Sequence, residues 1–370
     1  RQMKDEGVLP NTVTYICVLK ACGIVGSLEI GEDIYAQVKK QGLLQKDVTL
    51  GTALVDMYAK CGIIEKALEV FQQLRGRNVA TWTALITGYA QQGQVYEALN
   101  CFERMQSEGF PGDAVTFICI LKACGSIGGI DKGKQIHNEI LSRKLLEKDI
   151  VLGTALVDMY GKCGMLAKAQ QVLEDLPTRD IVSWNALITG YAQQEKGYDA
   201  LNCFDQMLNE GLSPDVVTFI CILKVCGSVG AIHKGKQIHE EVVSRGLLQR
   251  DIVLATALID MYAKCGMVAK AQGVLECLRI RGVVSWSSLI AGYAQQQQGY
   301  QAIECFERMQ NENFSPDAIT YVCILKACGS SQAIDKGREV HNKILSTGLL
   351  DECLVLGTAL MDMYVKCGVV

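Results

Sequence analysis

The sequence predicts an all-α protein, an α-solenoid superhelix of stacked helix-turn-helix repeats running as one continuous array over residues 1–370. Three observations carry that reading. The string GTALVDMYAKCG at 51–62 returns as GTALVDMYGKCG at 153–164, ATALIDMYAKCG at 255–266 and GTALMDMYVKCG at 357–368, always 102 residues further on. Within each period apolar residues recur at helical spacing, as at Trp82, Leu85, Ile86 and Tyr89. The composition also suits short helices: 5 Pro leave helix interiors unbroken, 36 Gly supply helix ends, and 6% aromatics is low for a β-rich core.

The 102-residue period divides into helix-pair segments of 35, 36 and 31 residues, starting for example at Val79, Ala114 and Ile150. In the segment from Val79, the stripe Trp82–Tyr89 forms the first helix and Gln92-Gly93 ends it. Ala98, Leu99, Phe102 and Met105 form a second stripe, closed by Gly109 and Pro111. Two short helices cannot bury such stripes alone, so the segments must stack on their neighbours. Strings beginning at Thr14, Thr116, Thr218 and Thr320, and at Thr81, Ser183 and Ser285, keep the same register with no insertion.

Composition and charge narrow the function. With 36 Lys+Arg against 40 Asp+Glu, the net charge of −4 excludes nucleic-acid binding by bulk charge but leaves room for a local basic stripe. A hydrophobic content of 49% excludes a disordered chain. Mean hydropathy is +0.17, yet runs such as Ile118-Cys119-Ile120-Leu121 stop at a lysine, short of the ~18 residues of a membrane span. The 17 cysteines are expected to be free, mostly buried thiols in a reducing compartment. The chain begins at Arg1 without a signal or transit segment and reads as a piece of something longer. Apolar residues at both ends, Val8–Leu9 and Val369–Val370, are expected to fray.

The strings ALVDMYAKCG and WNALITGYAQ, in a locked 35/36/31 alternation over the whole chain, resemble the pentatricopeptide repeat family, in its plant PLS subclass. In that subclass P, L and S motifs alternate. The resemblance divides the chain into a partial P motif at 1–11, L at 12–47, S at 48–78, P at 79–113, L at 114–149, S at 150–180, P at 181–215, L at 216–251, S at 252–282, P at 283–317, L at 318–353 and a partial S at 354–370. Tetratricopeptide repeats have a different consensus and a uniform period.

The resemblance implies binding of single-stranded RNA, one nucleotide per motif, with the fifth and last residues of a motif reading the base and the second wedging between bases. The reading pairs are then Thr52 with Asn78, Thr83 with Asp113, Thr154 with Asp180, Asn185 with Asp215, Thr256 with Gly282, and Ser287 with Asp317. The wedges are Thr49, Ala80, Val115, Val151, Val182, Val217, Val253 and Val284. In family terms Thr with Asn favours A, Thr with Asp favours G, Asn with Asp favours U, and Ser with Asp leans to G. Gly282 departs from the pattern and leaves its letter at most a purine. L motifs carry Ile16, Ile118, Ile220 and Val322 at the fifth position, which cannot hydrogen-bond a base edge, so they act as spacers. The implied target over 48–317 is 5′-A-G-n-G-U-n-n-G-3′.

Two side-chain sets have competing structural readings. Asp and Asn are preferred N-caps, and Asp47, Asp149 and Asp251 occupy the last position of L motifs beside no polar fifth residue. Capping therefore accounts for an acidic last residue, but not for Thr, Asn or Ser at every P and S fifth position. Lys60, Lys162, Lys264 and Lys366 close the first helix of each S motif. They are read as phosphate contacts, against the alternative of a cation at a helix C-terminus. Lys20, Lys122, Lys224 and Lys326, inside the L first helices, are the weaker phosphate candidates.

No catalytic constellation emerges. His137-Asn-Glu139 and His239-Glu-Glu241 match the H-x-E of zinc deaminases, but no two cysteines lie three apart to supply the partner motif. Tyr35 occupies the same place in the first copy, which points to a helix-face residue. Cys17/Cys22, Cys119/Cys124, Cys221/Cys226 and Cys323/Cys328 are five apart, unlike a zinc knuckle, and are expected to be small core residues. Gly128-Gly129 precedes Lys132-Gly-Lys134 without forming a P-loop.

The expected protein is thus not an enzyme and uses no cofactor, metal, membrane or small-molecule substrate. It is an RNA-binding specificity module for cytidine-to-uridine editing in a mitochondrion or chloroplast. A deaminase domain, or other RNA editing proteins, would supply the chemistry. The alternative class is a protein-binding scaffold, whose groove has no need for a polar pair alternating with aliphatics by motif type.

Overall fold

The computed structural model describes residues 10–369, and among them the regular elements are all helices. Val8, Leu9 and Val370, three of the residues expected to fray, lie outside that range. The chain divides into two compact units, Arg1–Gly190 and Tyr191–Val370.

Each unit is a stack of helix pairs, and each first helix begins at the residue that opens its motif. The first unit runs Thr12–Val25, Leu28–Lys40, Val48–Lys60, Ile64–Gln73, Val79–Gln91, Val95–Ser107, Ala114–Ile127, Ile130–Ser142, Ile150–Lys162 and Leu166–Asp175. Helix Ile181–Gln193 begins in it. The second unit runs Gly197–Asn209, Val216–Val229, Ile232–Ser244, Ile252–Lys264, Val268–Cys277, Val283–Gln295, Gly299–Asn311, Ala318–Ser330, Ile334–Thr347, Leu349–Glu352 and Leu354–Lys366. The short motif is short because its second helix, such as Ile64–Gln73, has 10 residues, against 13 for Val95–Ser107 and Ile130–Ser142.

Within each unit, a first helix packs on its own second helix and on the first helix of the next motif. The predicted stripes form most of the core: Trp82, Leu85, Ile86, Ala98, Phe102 and Met105 are fully buried and Tyr89 is buried, while Leu99 is only half-buried. Phe71 meets Trp82 edge-on at 4.6 Å between ring centres, an arrangement that adds to the area both rings bury. First helices approach closely because a small residue faces a small residue. A Cβ added to Gly190 would stand 2.9 Å from the Gly161 Cα, and one added to Gly88 would stand 2.6 Å from the Ala59 methyl.

The turn between the two P helices needs a left-handed residue. Gly93 takes it at φ 71°, whereas Glu195 and Gln297, the same position in later copies, adopt it at φ 58°. Only glycine does so without steric cost.

The candidate deaminase histidines are structural. His137 Nδ1 lies 2.9 Å from the Tyr160 hydroxyl, and His239–Tyr262 and His341–Tyr364 repeat the distance. Each pair ties an L second helix to the following S first helix. Burial, and then the nearby Lys168 ammonium, push His137 below the usual histidine range; burial and Lys270 do the same to His239.

The cysteine expectation needs one correction. Cys22, Cys124, Cys226 and Cys328 are buried, but Cys119, Cys221 and Cys323 are only half-buried and Cys17 is exposed. The first cysteine of each pair follows the fifth residue and flanks the outer stripe of its helix, where Cys119 Sγ meets Thr87 Oγ1 at 3.3 Å. None of the 17 cysteines forms a disulfide. Among the described residues no helix is long and apolar enough to cross a membrane, and no cluster of His, Cys, Asp or Glu could hold a metal ion.

Candidate nucleic-acid interface

Positions 2, 5 and 9 of a first helix fall on one stripe, because the steps of three and four residues bracket a helical turn. Position 2 is the most open. Val115, Val151, Val182, Val217, Val253 and Val284 are 54–63% exposed, and Thr49 and Ala80 are exposed as well. Val13, Ile319 and Val355, not singled out from sequence, occupy the same position at 64–67%. A row of apolar side chains held in solvent gives up burial that a core position would supply.

The last residue of each motif sits immediately before a first helix, and where it is Asp or Asn it caps that helix; Gly282 and Cys353 make no side-chain cap. Asp113 Oδ1 accepts from the Thr116 N–H at 2.8 Å and from the Thr116 hydroxyl at 2.7 Å. Asn78 makes the same two contacts with Thr81 at 2.9 and 2.8 Å. Asp317 does so with Thr320 at 2.8 and 2.5 Å, and Asp215 with Thr218 at 2.8 and 2.7 Å. The L-motif aspartates cap differently. Asp47, Asp149 and Asp251 accept from the N–H groups of the second and third residues, with no hydroxyl involved. The two kinds of cap are geometrically distinct, and Asp180, which accepts only from the Ser183 N–H, lacks the hydroxyl contact.

The fifth residues are sheltered. Thr83, Asn185 and Ser287 are 6–8% exposed, while Thr52, Thr154 and Thr256 are half-buried. Three of the expected reading pairs are joined through the third residue of the next motif. The Thr52 hydroxyl meets Thr81 Oγ1 at 2.7 Å, Thr83 meets Thr116 at 2.7 Å, and Ser287 meets Thr320 at 2.6 Å. Thr256 meets Ser285 at 2.7 Å, but Gly282 has no side chain to complete the contact. Thr154 and Asp180 are not joined, because the Ser183 hydroxyl turns back to the Asp180 backbone. Asn185 lies inside helix Ile181–Gln193, and Asp215 caps helix Val216–Val229.

These third residues, Thr81, Thr116, Ser183, Thr218, Ser285 and Thr320, are all fully buried, and sequence reasoning assigned them no role. The signal was present. A hydroxyl stands third in every P and L first helix, and Leu50, Leu152 and Leu254 stand third in the S helices that follow an aliphatic fifth residue.

The two lysine sets differ, as the aspartate four residues before each S-motif lysine already implies. Lys60, Lys162, Lys264 and Lys366 each pair with an aspartate one turn earlier, Asp56, Asp158, Asp260 and Asp362, at 2.7–2.8 Å. Their stems lie over a glycine of the preceding L helix: a Cβ at Gly23 would stand 3.3 Å from Lys60 Cδ. Lys20, Lys122, Lys224 and Lys326, at position 9 of the reading stripe, are exposed and carry no ion pair among the described residues.

Comparisons with known proteins agree with this organisation. The model described as "PPR repeat family" matches residues 77–126, 179–228 and 281–330. "PPR repeat" matches 52–79, 154–181 and 253–283, and "Pentatricopeptide repeat domain" matches 1–44. The mitochondrial pentatricopeptide repeat-containing protein At3g09040 of Arabidopsis thaliana is 36% identical over 98% of this chain and 35% of its own length. The chloroplastic At1g11290 of the same plant is 32% identical over 100% of this chain and 45% of its own. The chain spans about half or less of the length of such relatives. Among solved structures, maize PPR10 superposes with a TM-score of 0.69 at 21% identity, over 99% of this chain and 58% of that one. PPR10 in complex with an 18-nt psaJ RNA element gives the same score over 95% and 57%. The matched repeats, their register and the helical-repeat fold together place this chain in the pentatricopeptide repeat family.

Proposed function

We propose that this chain binds single-stranded RNA, one nucleotide per motif, with P and S motifs reading bases and L motifs spanning the intervening nucleotides. One observation carries the reading. In the P and S motifs with an amide or carboxylate last residue, its Oδ1 is tied to the following helix. In Asn78 and Asp113 this leaves the other polar atom, Nδ2 or Oδ2, without a protein partner on an exposed residue. An Asn held this way presents a donor, and an Asp held this way presents an acceptor. Guanine and uracil carry a ring N–H on the Watson–Crick edge, which suits Asp; adenine and cytosine carry a bare ring nitrogen, which suits Asn. The exposed valines supply the apolar surface on which adjacent bases would stack.

The target read this way is 5′-A-G-n-G-U-n-n-G-3′, with the fifth residue separating purine from pyrimidine as in the family. Phosphate contacts fall to the unpaired Lys20, Lys122, Lys224 and Lys326 as much as to the S-motif lysines, which hold an aspartate each. The chain would serve as the specificity module of a cytidine-to-uridine editing factor in a mitochondrion or chloroplast. That placement draws on relatives named mitochondrial or chloroplastic. The deaminase would be another domain or a partner.

Competition binding with the octamer and its single-letter variants tests the proposal. Preference for A at the first letter and G at the second, loss of binding to the same letters in a hairpin stem, and a steep fall with salt are expected. Equal affinity for all variants overturns it.

A further inference from the structure

We propose that the buried hydroxyl at the third position of a first helix is a positioning residue for base recognition by the motif before it. This inference rests on the RNA-reading proposal and extends it to residues that would not themselves touch the base. At the junction of motifs 79–113 and 114–149, Thr116 Oγ1 lies 2.7 Å from both Thr83 Oγ1 and Asp113 Oδ1. It therefore links the two readers of one nucleotide from the far side.

The proton count of this relay decides what the readers show to solvent. Thr116 has one hydroxyl proton, and the carboxylate is its strongest acceptor in reach. The Thr83 proton then goes to Thr116 Oγ1 or to the Val79 carbonyl at 2.9 Å. In either case Thr83 offers an incoming base only lone pairs, and Asp113 offers only Oδ2. At Thr52–Thr81–Asn78 the same relay fixes the amide. With Oδ1 taken by the Thr81 N–H and hydroxyl, Nδ2 must face outward. A flipped Asn78 would set its NH2 group against the Thr81 N–H, donor against donor.

The complete relay occurs at motifs 48–78, 79–113 and 283–317, and L motifs lack the residues to form it. L motifs have an aliphatic fifth residue, and the helix after each carries leucine third: Leu50, Leu152 and Leu254 are fully buried beside Ile16, Ile118 and Ile220 in sequence register. A hydroxyl needed only for capping would serve those helices equally well, since Asp47, Asp149 and Asp251 cap them. At 150–180 the fifth residue is Thr154, yet Ser183 spends its hydroxyl on the Asp180 backbone and leaves the relay open.

The test replaces Thr116 by Val, nearly isosteric, and separately Thr320 by Val at the independent Ser287–Asp317 junction. Affinity for the octamer and for its letter variants is measured with the melting temperature of each protein. Thr116→Val should lower the G-over-A ratio at the second letter by about fivefold, one hydrogen bond's worth. It should leave the A preference at the first letter intact. Thr320→Val should do the same at the eighth letter only. Ser183→Thr, whose added methyl favours the bridging rotamer seen at Thr116, should sharpen the fourth letter.

A folded Thr116→Val or Thr320→Val that keeps the original ratio overturns the inference while the RNA reading stands. A uniform loss of affinity at every letter also overturns it, since that is the mark of a structural role. A parent protein with no preference at these letters overturns the reading itself.

Discussion

At the residue scale, the same side chain is a cap and a proposed reader, and substitution separates the roles. Asn78 already shows that an amide keeps both contacts that Asp113 makes, the N–H and the hydroxyl of the third residue. Asp113→Asn should therefore leave the melting temperature nearly unchanged, because Asn and Asp are near-equal caps. It should move the second letter from G toward A, by about 1–3 kcal/mol of discrimination on the scale of paired base contacts. The control is Asp149→Asn. Its carboxylate accepts only from backbone N–H groups, and Ile118 gives it no polar partner, so neither stability nor preference should change. Competition binding with the four second-letter variants checks both.

At the element scale, two features of the helix pairs make predictions. The left-handed turn residue is Gly93 in one copy and Gln297 in another. A side chain in that conformation costs about 1–2 kcal/mol, partly offset by the ~0.4–1 kcal/mol that glycine loses through its freer unfolded chain. Gln297→Gly should stabilise by about 0.5 kcal/mol and Gly93→Gln should destabilise by a similar amount, read from urea midpoints.

The histidine ties between second and first helices make stability depend on pH. An unfolded histidine takes up its proton near pH ~6.5, whereas burial holds His137 and His239 lower in the fold. Between those values the unfolded chain binds more protons, so stability is complete above the unfolded value and falls as the pH drops through the window. Replacing His137 and His239 by Tyr, the residue at Tyr35 in the first copy, should flatten the slope of the urea midpoint over that range.

At the scale of the whole molecule, thiol chemistry reports on burial everywhere at once. Cys17 and Cys277 are exposed. Burial pushes the Cys101 and Cys124 thiols up to about 11 and the Cys203, Cys226 and Cys328 thiols up to about 12. The thiolate is the reactive form, so native alkylation should modify Cys17 and Cys277 quickly and those five slowly. In denaturant all 17 should titrate as free thiols, and stoichiometric disulfides would contradict the fold's packing. The lysines act over the same scale. Replacing Lys20, Lys122, Lys224 and Lys326 together by Gln should flatten the salt dependence of RNA binding more than replacing the four aspartate-paired lysines, because a free ammonium displaces more counterions on binding.

Periodicity alone determined the helical architecture and most of the core, because a stripe such as Trp82–Leu85–Ile86–Tyr89 is buried whenever a helix of that register stacks on a neighbour. The position of each Asp or Asn before a first helix likewise followed from its residue type and spacing. Tertiary structure decided what those residues do for one another. Thr116 follows Asp113 in the sequence, but only the packing of two first helices brings its hydroxyl to Thr83 as well. Lys60 pairs with Asp56 on its own helix, as the i,i+4 spacing implies, but its stem lies over Gly23 only because two first helices pack together. A hydrogen-bonding partner contributed by another turn or another motif depends on distances that helical packing sets, and a linear pattern carries no distances.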